Sequence, residues 1–364
     1  MAKNQNLNSA ARAKNDEFYT QFDDIQRELN CYYLYDKNFL RGKTVLLPCD
    51  DPEFSNFTKF FALNFDLYGL KKLISTSYAA EKKKFIYKPM KNLFDDWDTP
   101  QFDEFKDFSH GRIYTLEQKD LDKVDYPLKA LNKWEYLESD GDFRSAEVKK
   151  LRDEADVIIT NPPFSMFREF LAWILDADKK FLIIGNINCI TYKEVFPLIM
   201  QNKSWLGPSI HSGDRKFNVP DDYPLNAATC GIDNNGKKFI NVKGVRWFTN
   251  LEHGKRHEPL LLMTYQECEK FHPKIRGVGF QKYDNYDAIE VPKTDAIPSD
   301  YEGVMGVPIT FLDKYCPEQF EILDARKFAL NDRQKNKSTY LIKDADGTIN
   351  GKATYARILI RHRR

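Results

Sequence analysis

Apolar residues in this chain recur in short, strand-sized blocks, separated by polar stretches with helical spacing. Lys43-Thr-Val-Leu-Leu47, Leu73-Ile-Ser-Thr-Ser-Tyr78, Val157-Ile-Ile-Thr160 and Phe181-Leu-Ile-Ile184 read as buried strands. Between them, Phe57 to Phe65, Glu147 to Leu151 and Met166 to Leu175 read as helices, the first capped by Ser55 or Asn56. In the last of these, Phe167, Phe170, Leu171, Ile174 and Leu175 fall on one face. A further helix follows the turn at Phe18-Tyr19-Thr20, around Ile25 and Leu29, and another runs from Val195 to Met200. Ser204 to Gly207 and Gly244 to Asn250 look like strands of a closing hairpin, with a long loop between them from Pro208 to Lys243. Strand–helix alternation predicts an α/β fold, a doubly wound Rossmann-like sheet. The stretch 79–139 lacks clear alternation and reads as a partly irregular insertion. Residues 1–15 are polar and read as a flexible arm.

At 364 residues and 42% hydrophobic content, the chain can fill one large domain or two modest ones. The expected division is 16–260 for the catalytic domain and 261–364 for a C-terminal extension. No apolar run reaches membrane-spanning length and the N-terminus lacks an apolar signal region, so the expected location is the cytoplasm, away from membranes. Six cysteines are scattered without a Cys-x-x-Cys pair, which argues against a disulfide frame or a zinc site. His253 and His257 have a tempting metal spacing but no third ligand nearby, and read as part of a solvated basic loop. The net charge of +1 neither announces nor excludes a nucleic-acid partner, because an enzyme needs only a basic cleft. Basic stretches occur at Lys237, Lys238, Lys243 and Arg246 around Trp247-Phe248, at Lys255-Arg256, at Arg326, Lys327, Arg333, Lys335 and Lys337, and at Arg361 to Arg364. Singly, each is as consistent with a solvated face.

Candidate chemistry concentrates where the Val157 strand stops. Asn161-Pro162-Pro163-Phe164 follows it directly. The prolines donate no backbone hydrogen bond, so the turn offers carbonyl acceptors, to which Asn161 adds a side-chain oxygen and Phe164 a flat apolar face. Such a site suits a planar group bearing an amino group, as adenine and cytosine do. Accepting both amino hydrogens localises the nitrogen lone pair, which can then attack a sulfonium methyl with no metal and no covalent enzyme intermediate. Asn-Pro-Pro also occurs as a plain turn; its place at the carboxyl end of a strand, where open α/β sheets bind ligands, favours the chemical reading. The dinucleotide signature Gly-x-Gly-x-x-Gly is absent after the first strand, where Cys49 to Phe54 contains no glycine. Asp50 and Asp51 stand there instead, fitted either to a cationic, hydroxylated ligand or to helix capping.

Beyond the Asn-Pro-Pro-Phe turn, several collinear segments resemble the EcoRI adenine methyltransferase family. They are Asp16-Glu-Phe-Tyr-Thr-Gln21, Cys49-Asp-Asp-Pro52 with Ser55-Asn-Phe57, Gly141-Asp-Phe-Arg-Ser145, Lys179 to Ile184, Ile190 to Phe196, Tyr283 to Ala288 and Gly303 to Thr310. The resemblance runs from about Asp16 to Ile360. It implies methyl transfer from S-adenosylmethionine, without metal, to the exocyclic amino group of adenine in a specific double-stranded DNA sequence, with the base flipped out of the helix. It further implies that Phe18, Tyr19 and Thr20 lie at the methionine end of the donor. Asp50 and Asp51 hold the first-strand cofactor position, and Asp142 and Phe143 hold the donor's adenine. Asn161 and the Pro162 carbonyl accept from the target amino group, within the turn that Pro163 completes, and Phe164 stacks on the base. Phe217, in Lys-Phe-Asn-Val-Pro220, is the candidate second aromatic clamp, a position that a core or loop Phe fills equally well. A monomer is expected, with DNA recognition in the insertion and the C-terminal extension. A restriction endonuclease sharing the DNA site without contacting the protein is a further expectation. Methylation of RNA or of a protein glutamine, and DNA binding without catalysis, are the rival readings.

Overall fold

The structure is a computed structural model. It describes residues 19–79, 103–124, 126–219, 230–234, 236–323, 348–354 and 357–363. They divide between two compact units, one within Met1–Asn186 and Ser212–Leu251, the other within Ile187–His211 and Glu252–Arg364. The division differs from the expected break after residue 260. It falls at Leu251, and the segment around the Val195 helix joins the C-terminal residues.

The first unit is built on a large mixed sheet. Its elements run β1 (Tyr19–Thr20), α1 (Phe22–Tyr35), β2 (Thr44–Leu47), α2 (Asn56–Leu63), β3 (Lys72–Thr76), β4 (Arg112–Leu116), β5 (Glu135–Tyr136), α3 (Ala146–Glu154), β6 (Val157–Thr160), α4 (Phe167–Leu175) and β7 (Lys180–Asn186). After the excursion through the second unit come β8 (Asp214–Asn218), β9 (Cys230–Ile232), β10 (Lys238–Lys243) and β11 (Val245–Thr249). The first unit's strands of this sheet run in the order β5-β4-β3-β2-β6-β7-β11. Strands β3, β2, β6 and β7 are mutually parallel, and β4 and β11 pair antiparallel at either side. Residues of β2 and β6 are buried throughout, which is why they read as unbroken apolar runs and not as alternation. The chain passes outward from β2 to β3 and then returns to β6 on the other flank of β2. The carboxyl ends of β2 and β6 therefore frame a topological switch point.

Two expectations change here. Described residues of the 79–139 stretch add β4 and β5 to the sheet. Its inward positions are Arg112, Tyr114 and Leu116, all buried. An inward arginine is what hid the alternation. The long loop expected from Pro208 to Lys243 supplies three of the four strands of a second sheet, ordered β1-β8-β10-β9. Its strand β8, Asp-Arg-Lys-Phe-Asn, is too polar to announce itself. Only Gly244, at φ +69°, separates β10 from β11, and this left-handed residue lets one segment serve both sheets.

The second unit contains α5 (Phe196–Met200) and α6 (Tyr265–Phe271), the latter opened by a capping box of Thr264 and Glu267. Its sheet of β12 (Ala288–Glu290), β13 (Val304–Val307), β14 (Phe320–Ile322) and β15 (Ile358–His362) has the order β12-β13-β15-β14. No helix among the described residues is long and apolar enough to cross a membrane.

Candidate active site

Three loops gather at the carboxyl edge of the parallel strands in the first unit. The loop after β2 carries Asp50, which is buried. Its Oδ1 accepts from Ser55 Oγ at 2.7 Å and its Oδ2 from Thr160 Oγ1 at 2.5 Å. Ser55 also caps α2, accepting from the Phe57 amide at 3.0 Å. Asp50 thus ties the β2 loop both to α2 and to the residue just before Asn161. Asp51 behaves differently: its Oδ1 accepts the amides of Glu53 and Phe54, and its Oδ2 stands 3.8 Å from Arg112.

The loop after β3 receives Gly141-Asp142-Phe143. A Cβ at Gly141, whose φ is +77°, would overlap the Ser77 carbonyl, and one at Gly111 would meet the same oxygen. Glycine at both positions lets this segment lie against the end of β3, where the Ala79 amide donates to Asp140 at 2.7 Å. The Asp142 carboxylate is gripped by Arg144, with Nε at 2.9 Å from one oxygen and Nη2 at 2.6 Å from the other. Arg144 also reaches Glu169 on α4 at 3.2 Å. Phe143 is only 5% exposed and packs edge-on against Phe170 and Trp173 of α4.

The third loop is the Asn161–Phe164 turn itself. Asn161 is 7% exposed, Pro162 is buried, and Phe164 is half-buried. The Met166 amide donates to the Pro163 carbonyl at 2.9 Å, turning the chain into α4. At the head of α4, Phe167 packs on Phe248 with centroids 5.0 Å apart, and any Cβ at Gly185 of β7 would strike the Phe167 ring. Gly185 therefore fixes how closely the turn sits on the sheet. Phe217 of β8 meets Phe164 edge-on, with centroids 6.3 Å apart and planes at 90°. Phe217 is 2% exposed, so in this state it braces Phe164 and offers no open face.

Of the N-terminal residues, Phe18 lies outside the described residues. Tyr19 and Thr20 pair with Asn218 and Phe217. The Thr20 carbonyl accepts from Asn56 Nδ2 at 2.7 Å, which anchors β1 to the start of α2. Thr20 Oγ1 is buried with no hydrogen-bond partner among the described residues. All the described members of the expected site thus belong to one unit and to loops that touch or adjoin one another.

A sequence model of the family described as "Adenine-specific methyltransferase EcoRI" matches residues 6–363. The chain belongs to this EcoRI-type adenine methyltransferase family. It is similar to the Type II methyltransferase M.EcoRI of Escherichia coli, at 42% identity over 100% of this chain and 98% of the relative. It is also similar to M.MgeORF184P of Mycoplasma genitalium, at 34% identity, and to M.MpnI of Mycoplasma pneumoniae, at 33%, each over 98% of both chains. No solved structure matches the chain significantly.

In this EcoRI-type methyltransferase the residue that sequence reasoning missed is Arg112. It reaches Glu53 at 2.8 Å and Asp107 at 2.5 Å, and lies over the Trp134 ring at 4.3 Å. Burial opposes its charge, but Asp51, Asp107 and Glu53 more than offset this and hold its pKa above the ordinary value. Burial pushes the Glu53 carboxyl up despite Arg112, and pushes the nearby Lys59 ammonium down. A lone arginine in an unpatterned stretch gave no warning of this. Among the basic stretches, Arg246 is buried in β11 between core residues, and the group from Arg326 to Lys337 lies outside the described residues.

In the second unit, the His253–His257 segment is not the solvated loop that its composition suggests. His253 is buried, with Nε2 3.1 Å from the Leu206 carbonyl. Arg256 is also buried, 3.9 Å over the Trp205 ring and 3.3 Å from Glu252. No group of three or more His, Cys, Asp or Glu suited to a metal occurs among the described residues.

Proposed function

We propose that this protein transfers a methyl group from S-adenosylmethionine to N6 of adenine at a specific site in double-stranded DNA, as one half of a restriction–modification pair. The observation that carries the reading is the Asn161–Phe164 turn at the switch point, with Asp50 fixing its entry through Thr160 and Gly185 fixing its exit through Phe167. The bound donor supplies an electrophilic methyl on a sulfonium. Asn161 Oδ1 and the Pro162 carbonyl accept the two hydrogens of the target amino group and aim its lone pair, so the turn's contribution is position and preorganised dipoles. Phe164 stacks on the base, with Phe217 as its brace and candidate second wall. A target nitrogen engaged in pairing cannot reach this turn, so the adenine is flipped out of the duplex.

The residues fit the donor. Thr20 Oγ1 is a buried hydroxyl lacking a partner among the described residues, at the position proposed, with Phe18 and Tyr19, for the methionine end. Asp142 and Phe143 take the donor's adenine, which requires Arg144 to share the carboxylate it now grips. Of the two acids after β2, Asp50 serves the scaffold, and Asp51 has the looser side-chain oxygen, 3.8 Å from Arg112. The strand order β3-β2-β6-β7 with an antiparallel strand beyond supports a doubly wound, Rossmann-like sheet with a closing hairpin. The C-terminal residues 261–364 serve DNA recognition. The protein works as a cytoplasmic monomer, with an endonuclease that shares its DNA site but does not contact it.

Labelled donor, duplex host DNA and nucleoside mass spectrometry test the reaction. N6-methyladenine is expected, with chelator present, and sequencing of the product maps the site. Methylcytosine as sole product, or label entering RNA or protein glutamine but not DNA, would overturn the reading.

A further inference from the structure

The second sheet of the catalytic unit carries a cation that the methyl-transfer reading does not use. Arg215 precedes Phe217 by two residues in β8, so both side chains leave one face of the strand. The pairing agrees: Arg215 stands opposite Val242, and Phe217 stands between Ile240 on β10 and Thr20 on β1. This is the face that meets the catalytic turn, because Phe217 touches Phe164. Two residues of strand advance about 6.6 Å, comparable to the span from a nucleobase to the phosphate of its own nucleotide.

Among the described residues no acid answers Arg215. Among the described residues its guanidinium makes one hydrogen bond, from Nη1 to the neighbouring Asp214 carbonyl at a long 3.4 Å, while Nε is buried with no partner. Lys216, on the opposite face, is by contrast engaged, 3.3 Å from Asp233 and 4.4 Å over the Phe239 ring. A buried donor left unmade is costly and calls for an explanation. The planar fork of arginine matches two phosphate oxygens at once, which a point charge does not.

We infer that Arg215 binds a backbone phosphate flanking the target adenine and so holds the extruded nucleotide against the Asn161–Phe164 turn. The inference rests on the proposed DNA reaction and adds to it a residue that grips the substrate backbone without touching the reacting nitrogen.

The test uses the full-length protein and a duplex carrying the mapped site. Arg215→Gln should lower the slope of log affinity against log salt by about 0.9, the value of one phosphate contact. It should raise KM for DNA by about tenfold, on the scale of a lost charge-assisted hydrogen bond, and should slow single-turnover methyl transfer at saturating DNA in proportion to the flipped population that is lost. A 2-aminopurine at the target position should brighten less than with wild type. Sinefungin affinity should not change. Arg215→Lys should restore the slope but only part of the affinity. A wild-type salt slope in Arg215→Gln overturns the inference. So does wild-type protein that binds equally well when either phosphate flanking the target adenine is replaced by a neutral methylphosphonate, a measurement that needs no variant to fold. If wild type methylates adenine and these results are negative, only the role of Arg215 fails. If no label reaches DNA, it is the proposed function that fails.

Discussion

Arg215 in the first unit and Arg357 in the second are both partly buried arginines beside sheets, and their surroundings could hardly differ more. Arg357 grips Glu290 with Nε at 2.9 and 3.1 Å and Nη2 at 2.5 Å. Tyr283 donates its hydroxyl to the same carboxylate, and Gly306 has no Cβ because one would overlap the Tyr283 ring. Every charge in that network has a partner. Around Arg215 and Thr20, beside the Asn161–Phe164 turn, buried polar atoms lack partners among the described residues. Burying a charge is tolerable when it is paired and hydrogen-bonded, and an incomplete set has to be completed by something else. The closed network reads as scaffold, and the open one as a surface awaiting a ligand. Stability and catalysis should therefore respond to different residues.

The largest effect expected on stability comes from opening the closed network. Glu290→Ala leaves Arg357 without its carboxylate and should cost about 3–5 kcal/mol. Urea denaturation measures the loss, and titration with sinefungin should show donor affinity retained below the unfolding transition. A loss under 0.5 kcal/mol, the usual range for surface changes, would mean that the network is dispensable and the contrast is empty.

Asn161→Ala should do the reverse. It removes the acceptor proposed for the reacting nitrogen, and by analogy with deleting one oxyanion-hole donor it should slow single-turnover transfer by about 100- to 1,000-fold. Melting temperature and sinefungin affinity should hold. Turnover within a few-fold of wild type would return Asn161 to the status of a turn residue.

The contrast also explains what could be read from the sequence. Strands β2, β6 and β7 were legible because parallel strands buried on both faces carry runs of apolar residues. The Asn161–Phe164 turn was legible because two prolines end a strand unambiguously. Strand β8 was not, since Arg215 and Lys216 are charged residues in a strand whose inward anchor is Phe217 alone. Nor was Arg112, whose burial depends on Glu53 and Asp107, partners distant in sequence or hidden among ordinary surface acids. Periodicity reports apolar burial, and a charge buried through its partners is invisible to it. The same blindness made the His253–Arg256 segment look solvated.

That segment supplies the smallest effect and the one that bears on the second unit's stability under acid. Burial depresses the His253 pKa from 6.5 to about 4. The Leu206 carbonyl opposes the shift, and Arg256, His257 and His211 add to it. The folded imidazole stays neutral in a range where the unfolded one takes up a proton. Its contribution is therefore complete above pH 6.5 and is lost as pH falls from there toward 4. Between pH 7 and 5 the loss should be roughly 1–2 kcal/mol. His253→Gln keeps a side-chain donor for the Leu206 carbonyl but cannot titrate, so its stability should fall less over the same interval. Urea midpoints of both proteins at the two pH values give the difference directly. Equal losses would assign the acid sensitivity to other groups and leave His253 as packing alone. A smaller loss in the variant, with sinefungin affinity following the same pH course in both proteins, would place this acid sensitivity in the second unit's interior and not at the donor site.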